Sequence, residues 1–431
     1  MTFKMLHPAD QIVMIMNRIY YNGQTTTSGG NLSVKDAEGN IWISPSGVDK
    51  GTLTRKDIMQ IKPDGTIIGI HKPSVEYPIH MSIYRSRPDI SAILHAHPPA
   101  LVSLTLIRKI PDTSIIPSAA KVVGEVSMAP YACPGSKELA DNINAEFKKG
   151  INTVLMENHG VIIGKDSLFE AFMAFETLDC CARIAVHAGC LKHQMIPLSA
   201  EQLQVYNNRR VPRMDHFIPA YYTSNELAIR AEMCTLIKRA YNNKLFTSTQ
   251  GTFSCRIDDS SFVITPHAKD RMYLDPEDLV RIKHDMCEEG KTPSKAVDLH
   301  AAIYAKHPEI QSIIIAIPSN IMAFAVTDVD FNALLIPESY IALRDVEKIP
   351  YGMSFQQPEA VAEKISLSHP VLIERNDCVI TVGTSLLNAF DRLEVMDYSA
   401  RSLIYTSVLA EPVVNITDEE VQVINEAFHL N

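Results

Sequence analysis

Three histidines and one glutamate stand at spacings that admit metal chemistry. His95-Ala96-His97 continues an apolar run, Ile93-Leu94, of strand character. Alternate residues of a strand face the same side, so the two imidazoles form a chelating pair. His159 lies in Glu157-Asn158-His159-Gly160, a tight turn between the short apolar runs Thr153–Met156 and Val161–Ile163, from which it can reach a neighbouring strand end. Three imidazoles leave an open coordination position, as a catalytic zinc site requires. Glu76 adds a carboxylate in the first turn of a helix that Ser74 is expected to cap.

The chain carries its own control, because it repeats. Lys72-Pro-Ser-Val-Glu-Tyr-Pro-Ile-His-Met-Ser-Ile-Tyr84 returns as Thr292-Pro-Ser-Lys-Ala-Val-Asp-Leu-His-Ala-Ala-Ile-Tyr304, with Pro73 on Pro293, His80 on His300 and Tyr84 on Tyr304. Ile43-Ser-Pro-Ser-Gly47 answers to Ile264-Thr-Pro-His-Ala268, and Pro130-Tyr131 to Pro350-Tyr351. At the matched positions Glu76 becomes Ala296, His95 becomes Ile315, His97 becomes Ile317 and His159 becomes Asp377. Residues kept in both copies are explained by shared packing, and residues lost together by one function that a single copy retains. His80 is therefore read as a structural hydrogen-bonder despite its helical spacing from Glu76. Glu76, His95, His97 and His159 are read as a metal site.

A second constellation suits an anion. Ser28-Gly29-Gly30-Asn31 precedes a strand, Ser46-Gly47 ends the next, and Ser74 opens a helix whose free N–H groups attract phosphate. Small residues let the backbone approach such a group closely. The whole chain offers no basic stripe for a nucleic acid: 40 Lys and Arg stand against 50 Asp and Glu, and the formal charge is -10. Arg209-Arg210 is the nearest thing to a cluster and reads as part of a solvated linker. Apolar runs such as Ile313–Ile317 are of strand length, too short to cross a bilayer, and the N-terminus lacks a signal-peptide pattern. The 8 cysteines follow no metal or redox spacing and read as free thiols of a reducing, cytoplasmic compartment.

The positioning elements follow from periodicity. Each copy opens with an amphipathic helix (residues 9–21 and 224–242), then a strand pair turning at Asp36–Asn40 in the first. A helix over 75–86, a buried strand over 93–97, the hairpin around His159 and a long helix over 167–189 complete the unit. Hairpin spacing among helices predicts two tandem α/β/α domains, each with a largely antiparallel central sheet. They are expected over residues 1–205, with the metal site, and 220–431, without it, joined by a linker near 199–222. No dinucleotide fingerprint or Walker loop occurs.

The motifs GGNLSV, ISPSG, KPSVE, IYRSRPD, ILHAHP, APYA and ENHGVIIG cover nearly all of residues 9–190 in order and spacing, and by them the chain resembles the class II aldolase/adducin family. The resemblance implies one divalent metal per chain, usually zinc, on His95, His97 and His159. It makes Glu76 the resting ligand and catalytic acid/base, and builds a phosphate pocket from Ser28, Asn31, Ser46, Gly47 and Ser74. The implied reaction is cleavage of a ketose 1-phosphate or related phosphorylated sugar or sugar acid to dihydroxyacetone phosphate and an aldehyde. Decarboxylation, 4-epimerisation and an adducin-like scaffold are the alternatives; glutamate rather than aspartate at 76 argues against the epimerase. Val75 departs from the phosphate-binding serine common in the aldolases, and residues 115–128 lack their proton-donating tyrosine. Tyr340 of the second copy, where the first has Ala120, is the expected substitute, acting in a homodimer whose four domains close a pseudo-four-fold ring.

Overall fold

The computed structural model describes residues 3–409 and 411–430. The chain divides into two compact units, Met1–Thr113 with Ser118–Arg183, and Ser114–Pro117 with Ile184–Asn431. Among the described residues no helix is long and apolar enough to cross a membrane.

The first unit is built on eight strands: β1 (Asn31–Lys35), β2 (Ile41–Ile43), β3 (Met59–Ile61), β4 (Ile67–Ile68), β5 (Ala92–Ala96), β6 (Val126–Ala129), β7 (Thr153–Met156) and β8 (Val161–Lys165). Their order is β4-β3-β2-β1-β5-β8-β7-β6, and only β6 and β7 pair in parallel. The β1–β2 turn is held by Asp36, whose carboxylate accepts from Asn40 N at 2.8 Å and Trp42 Nε1 at 2.9 Å.

Alternation along the strands divides the interior into two cores. Leu32, Leu94, Ala96, Val161 and Ile163 face the helices Pro8–Tyr21 and Leu168–Cys190, where Ile12, Ile15, Met16 and Ile19 repeat at helical spacing. All four are fully buried, and burial of each is worth about 1.5–3 kcal/mol. Ile93, Val154 and Ile162 face the other way, against Ile79, Ile83, Ile143 and Phe147 of the helices Tyr77–Ser86 and Lys137–Lys148. This second face carries the chemistry: the ladder sets Asn31 opposite His95 and Ser33 opposite Ile93.

The second unit repeats the ladder and widens it, with β9 (His216–Phe217), β10 (Thr252–Asp258), β11 (Ser261–Ile264), β12 (Val280–Lys283), β13 (Met286–Glu288), β14 (Ser312–Ala316), β15 (Glu347–Ile349), β16 (Val371–Glu374) and β17 (Cys378–Gly383). The order is β15-β16-β17-β14-β10-β11-β12-β13-β9. The expected α/β class with a largely antiparallel sheet holds in both units.

The segment expected as a linker is structured. Ala200–Asn208 is a helix, capped by Ser199 and Gln202, and β9 adds in parallel to β13. Arg209, expected to be solvated, is half-buried, with its guanidinium 4.8 Å from the ring centre of Phe355 and Nη2 donating to Lys295 O at 3.1 Å. A planar cation over an aromatic face keeps its charge while shedding water.

Candidate metal and active site

His95 reaches the site from β5 with its tautomer fixed. Nδ1 lies 2.9 Å from the Val161 carbonyl and must donate to it, which turns the Nε2 lone pair toward Glu76. His97 falls one residue past the strand end, yet its ring stays on the same side, 4.6 Å from that of His95 between centres. Two glycines allow the crowding. A Cβ on Gly30, which has φ +69°, would meet His95 O at 2.7 Å, and one on Gly160 would meet Ala96 O at 2.5 Å.

His159 comes from the β7–β8 turn, where Asn158 takes the left-handed φ of 52°. The turn is braced at Glu157, whose carboxylate pairs with Arg108 Nε at 3.2 Å and accepts from Tyr131 N at 3.2 Å. The His159 ring centre lies 4.9 Å from that of His95 and 5.1 Å from that of His97. One ligand atom from each of the three can be chosen so that all lie within 4.8 Å of one another.

Glu76 closes the group. The helix begins at Tyr77, two residues later than expected, so Glu76 is its N-cap residue, and Ser74 is not. The Ser74 hydroxyl instead accepts from Glu76 N at 3.3 Å, a local turn that aims the carboxylate at the histidines. Oε2 of Glu76 lies 3.1 Å from His95 Nε2, and Oε1 lies 3.6 Å from His159 Nε2. Burial raises the Glu76 carboxyl, but its histidine neighbours, His95 foremost and then His159, with the Asn31 hydrogen bond, outweigh it and hold it well below the usual carboxylate range. Burial pushes His97 down to about 3 and His159 to about 4, so both rings are neutral acceptors near pH 7.

The donor set fits a divalent cation on an observation independent of motif. Among the described residues, Glu76 Oε1, His95 Nε2 and His159 Nδ1 are buried with no hydrogen-bond partner, a costly state for polar atoms unless a cation answers them. Three imidazoles and a carboxylate suit zinc and its neighbours.

The anion loops adjoin this group. A Cβ on Gly29 would lie 3.1 Å from His97 Nδ1. Ser46 N donates to Lys72 O at 2.9 Å beside the Pro45–Pro73 bridge, which sets Ser46 and Gly47 next to the Ser74 loop, while Lys50 N donates to Thr27 O at 2.9 Å. Ser28 and Gly47 are exposed; Ser74 is buried. Asn31, expected with them, turns its carboxamide inward: Nδ2 donates to Glu76 Oε2 at 2.7 Å and Oδ1 lies 2.6 Å from His80 Nε2. Tyr340 sits in the second unit on the helix Pro337–Leu343, where its hydroxyl donates to Asn425 Oδ1 at 3.0 Å. Val75 is exposed. Sequence reading missed the Asn31–His80 contact; the strand register that makes it is invisible from motif spacing, although His80 and Tyr84 recur in the second copy.

Similarity to known proteins gives the family. The model of the family described as class II aldolase and adducin N-terminal domain matches residues 10–186 and again 231–404. The 5-deoxy-D-ribulose 1-phosphate aldolase of Bacillus thuringiensis is 36% identical over 180 residues, 41% of this chain and 82% of that one. The 3-oxo-tetronate 4-phosphate decarboxylase of Escherichia coli K12 is 28% identical over 184 residues, 42% of this chain and 86% of its own. A solved L-fuculose 1-phosphate aldolase is 32% identical, with 46% of this chain and 92% of that chain covered at a TM-score of 0.41. Matched twice over most of its length, the protein belongs to the class II aldolase and adducin family and carries the family's domain in tandem.

Proposed function

We propose that the first unit is a metal-dependent aldolase that cleaves a ketose 1-phosphate, or a related phosphorylated sugar or sugar acid, to dihydroxyacetone phosphate and an aldehyde. The observation that carries the reading is the convergence of His95, His97 and His159 on one ionised carboxylate, Glu76. A divalent cation held there, one per chain with zinc the proposed ion, would supply Lewis acidity toward adjacent carbonyl and hydroxyl oxygens of the sugar.

The chain's own groups do the rest. Glu76 moves the proton that separates dihydroxyacetone phosphate from its enediolate. The hydroxyls of Ser28, Ser46 and Ser74 and the backbone N–H of Gly47 serve the phosphate, with Asn31 beside them. Tyr340 is proposed as the donor to the leaving group, supplied within a homodimer whose four units close a pseudo-four-fold ring; sedimentation as a monomer would overturn that part.

Decarboxylation is the second reading, favoured by the similarity to the decarboxylase of Escherichia coli. Loss of carbon dioxide from a 3-oxo acid 4-phosphate leaves the same enediolate as the aldol cleavage. The experiment is deuterium exchange into dihydroxyacetone phosphate, followed by a panel of ketose 1-phosphates and 3-oxo acid phosphates. Exchange together with aldehyde release supports the aldolase, exchange with carbon dioxide release the decarboxylase, and no exchange by metal-loaded protein overturns both.

A further inference from the structure

The hydrogen bonds behind Glu76 form a chain whose direction can be read from end to end. Asn31 Nδ2 donates to Oε2 of Glu76 at 2.7 Å, and an amide nitrogen only donates. Its Oδ1 therefore accepts, and Nε2 of His80, 2.6 Å away, carries the ring proton. Nδ1 of His80 is then an acceptor and takes the Ser33 hydroxyl proton at 2.6 Å, which leaves the Ser33 oxygen to accept from Tyr84 at 2.7 Å. All five side chains are buried. Burial holds His80 down to about 3, so its ring stays neutral and the chain keeps one sense near pH 7.

The second unit holds the same chain cut short. Ser254 Oγ lies 2.7 Å from Tyr304 OH and 2.6 Å from Nδ1 of His300. The ladder sets Thr252 opposite Ile315, where Asn31 faces His95, and Ala296 precedes the helix where Glu76 does. Nε2 of His300 is buried with no hydrogen-bond partner among the described residues. The Tyr–Ser–His half is thus common framework; the Asn–Glu half exists only beside the histidine triad.

We propose that Asn31 and His80 are positioning residues: His80 locks the Asn31 carboxamide so that Nδ2 pins Oε2 of Glu76 and Oε1 is left to move the proton. The inference rests on Glu76 being the acid/base. A flipped amide would set its oxygen against a carboxylate oxygen and its NH2 against the His80 N–H, two repulsive contacts in place of two bonds. His80 thereby determines which of the two Glu76 oxygens is free, through a residue that lies between them.

The second copy supplies fold-safe variants. Asn31→Thr installs the residue that unit already accommodates, and His300→Gln is the control for His80→Gln. With full-length, metal-loaded protein and dihydroxyacetone phosphate as probe, Asn31→Thr and His80→Gln are each expected to lower kcat for deuterium exchange about 10- to 100-fold. KM should change far less, and His300→Gln should leave both constants as they were. An unchanged kcat in Asn31→Thr overturns the proposal, as does a raised KM alone, which would make Asn31 a phosphate contact. Equal losses in His80→Gln and His300→Gln would overturn it too, since both would then be framework. If wild-type protein exchanges no deuterium, the aldolase reading has failed, and chelator competition carries the test: Asn31→Thr loosens the cation about 10-fold if it holds Glu76 in place, and not at all otherwise.

Discussion

One register of one fold appears twice in this chain with opposite contents. In the first unit the β5 strand end, the β7–β8 turn and the helix start bring together three imidazoles and a carboxylate with unanswered polar atoms. In the second, the same three places carry Ile315 and Ile317, Asp377, and Ala296. Asp377 keeps company with Glu374 and Cys378, but there burial raises all three groups and disfavours the charged forms a cation would need. Glu374 Oε1 accepts from Gly352 N at 2.6 Å and Ser354 N at 3.4 Å, while burial raises the Asp377 carboxyl and Arg209 opposes that only in part. Burial, then Asp377, pushes the Glu374 carboxyl up, so one member of the pair sheds its charge more readily than an exposed acid. The difference teaches that framework and chemistry separate in this fold: Ser33, His80 and Tyr84 have counterparts at Ser254, His300 and Tyr304, with matching distances, whether or not a site stands beside them.

The severest attempt to break the contrast is metal analysis. Wild-type protein is expected to hold one equivalent of divalent metal per chain, and His95→Ala with His97→Ala none, with turnover lost altogether. Two equivalents in the wild type, or one in the double variant, would mean that the second unit binds metal after all. Glu76→Gln comes next: the amide cannot take a proton, so turnover should fall about 100- to 10,000-fold while the fold stands.

A gentler contrast lies at the loop anchor. Lys50 is fully buried, and its ammonium donates to Pro45 O at 2.6 Å. Its counterpart Arg271 donates to Pro266 O at 3.1 Å and also to Gln250, Gly251 and Lys269 carbonyls. Burial pushes Lys50 down from 10.5 to about 8. Below pH 8 the lysine is charged in both folded and unfolded states, and the fold carries the full desolvation cost. Between pH 8 and 10.5 the unfolded chain binds more protons at this lysine, so its contribution to stability rises with pH, by up to about 3 kcal/mol. Because buried thiols such as Cys181, Cys255 and Cys378 are raised by burial and pull total stability the other way above pH 9, the rise should appear in urea melts at stepped pH as the difference between wild type and Lys50→Met. In stability the smallest effect belongs to Tyr340→Phe, which gives up a half-buried hydrogen bond to Asn425 worth about 1 kcal/mol. Unchanged turnover in that variant removes Tyr340 from the reaction; reduced turnover with intact metal supports it as donor.

The residues that touch a cation were legible because chemistry of that kind needs particular side chains at particular spacings, and because the second copy lacks all four. His95, His97, His159 and Glu76 could be grouped without any coordinates. Asn31 was grouped with the phosphate loops because its glycine neighbours speak of close approach; its true partners lie across a ladder and on a helix, a relation set by register. Ser74 follows the pattern of a cap, yet its hydroxyl serves a turn that makes Glu76 the cap position. Arg209 looked solvated in a Pro- and Asn-rich stretch, since nothing local announces that Phe355, far along the chain, supplies a face for it.

The joining segment has a practical consequence for anyone dissecting the gene. By its hydrogen bonds it is part of the second unit: Cys287 N donates to Asp215 O at 2.7 Å, Glu289 N to Phe217 O at 2.9 Å, and Tyr351 OH to Gln202 O at 3.2 Å. A recombinant fragment beginning at residue 220 would lose β9 and the Ala200–Asn208 helix, leaving β13 as a raw strand edge and Phe355 without its cation. Such an edge is a template for self-association. A fragment that begins upstream of Ser199 keeps both covers, and that is where the scissors belong.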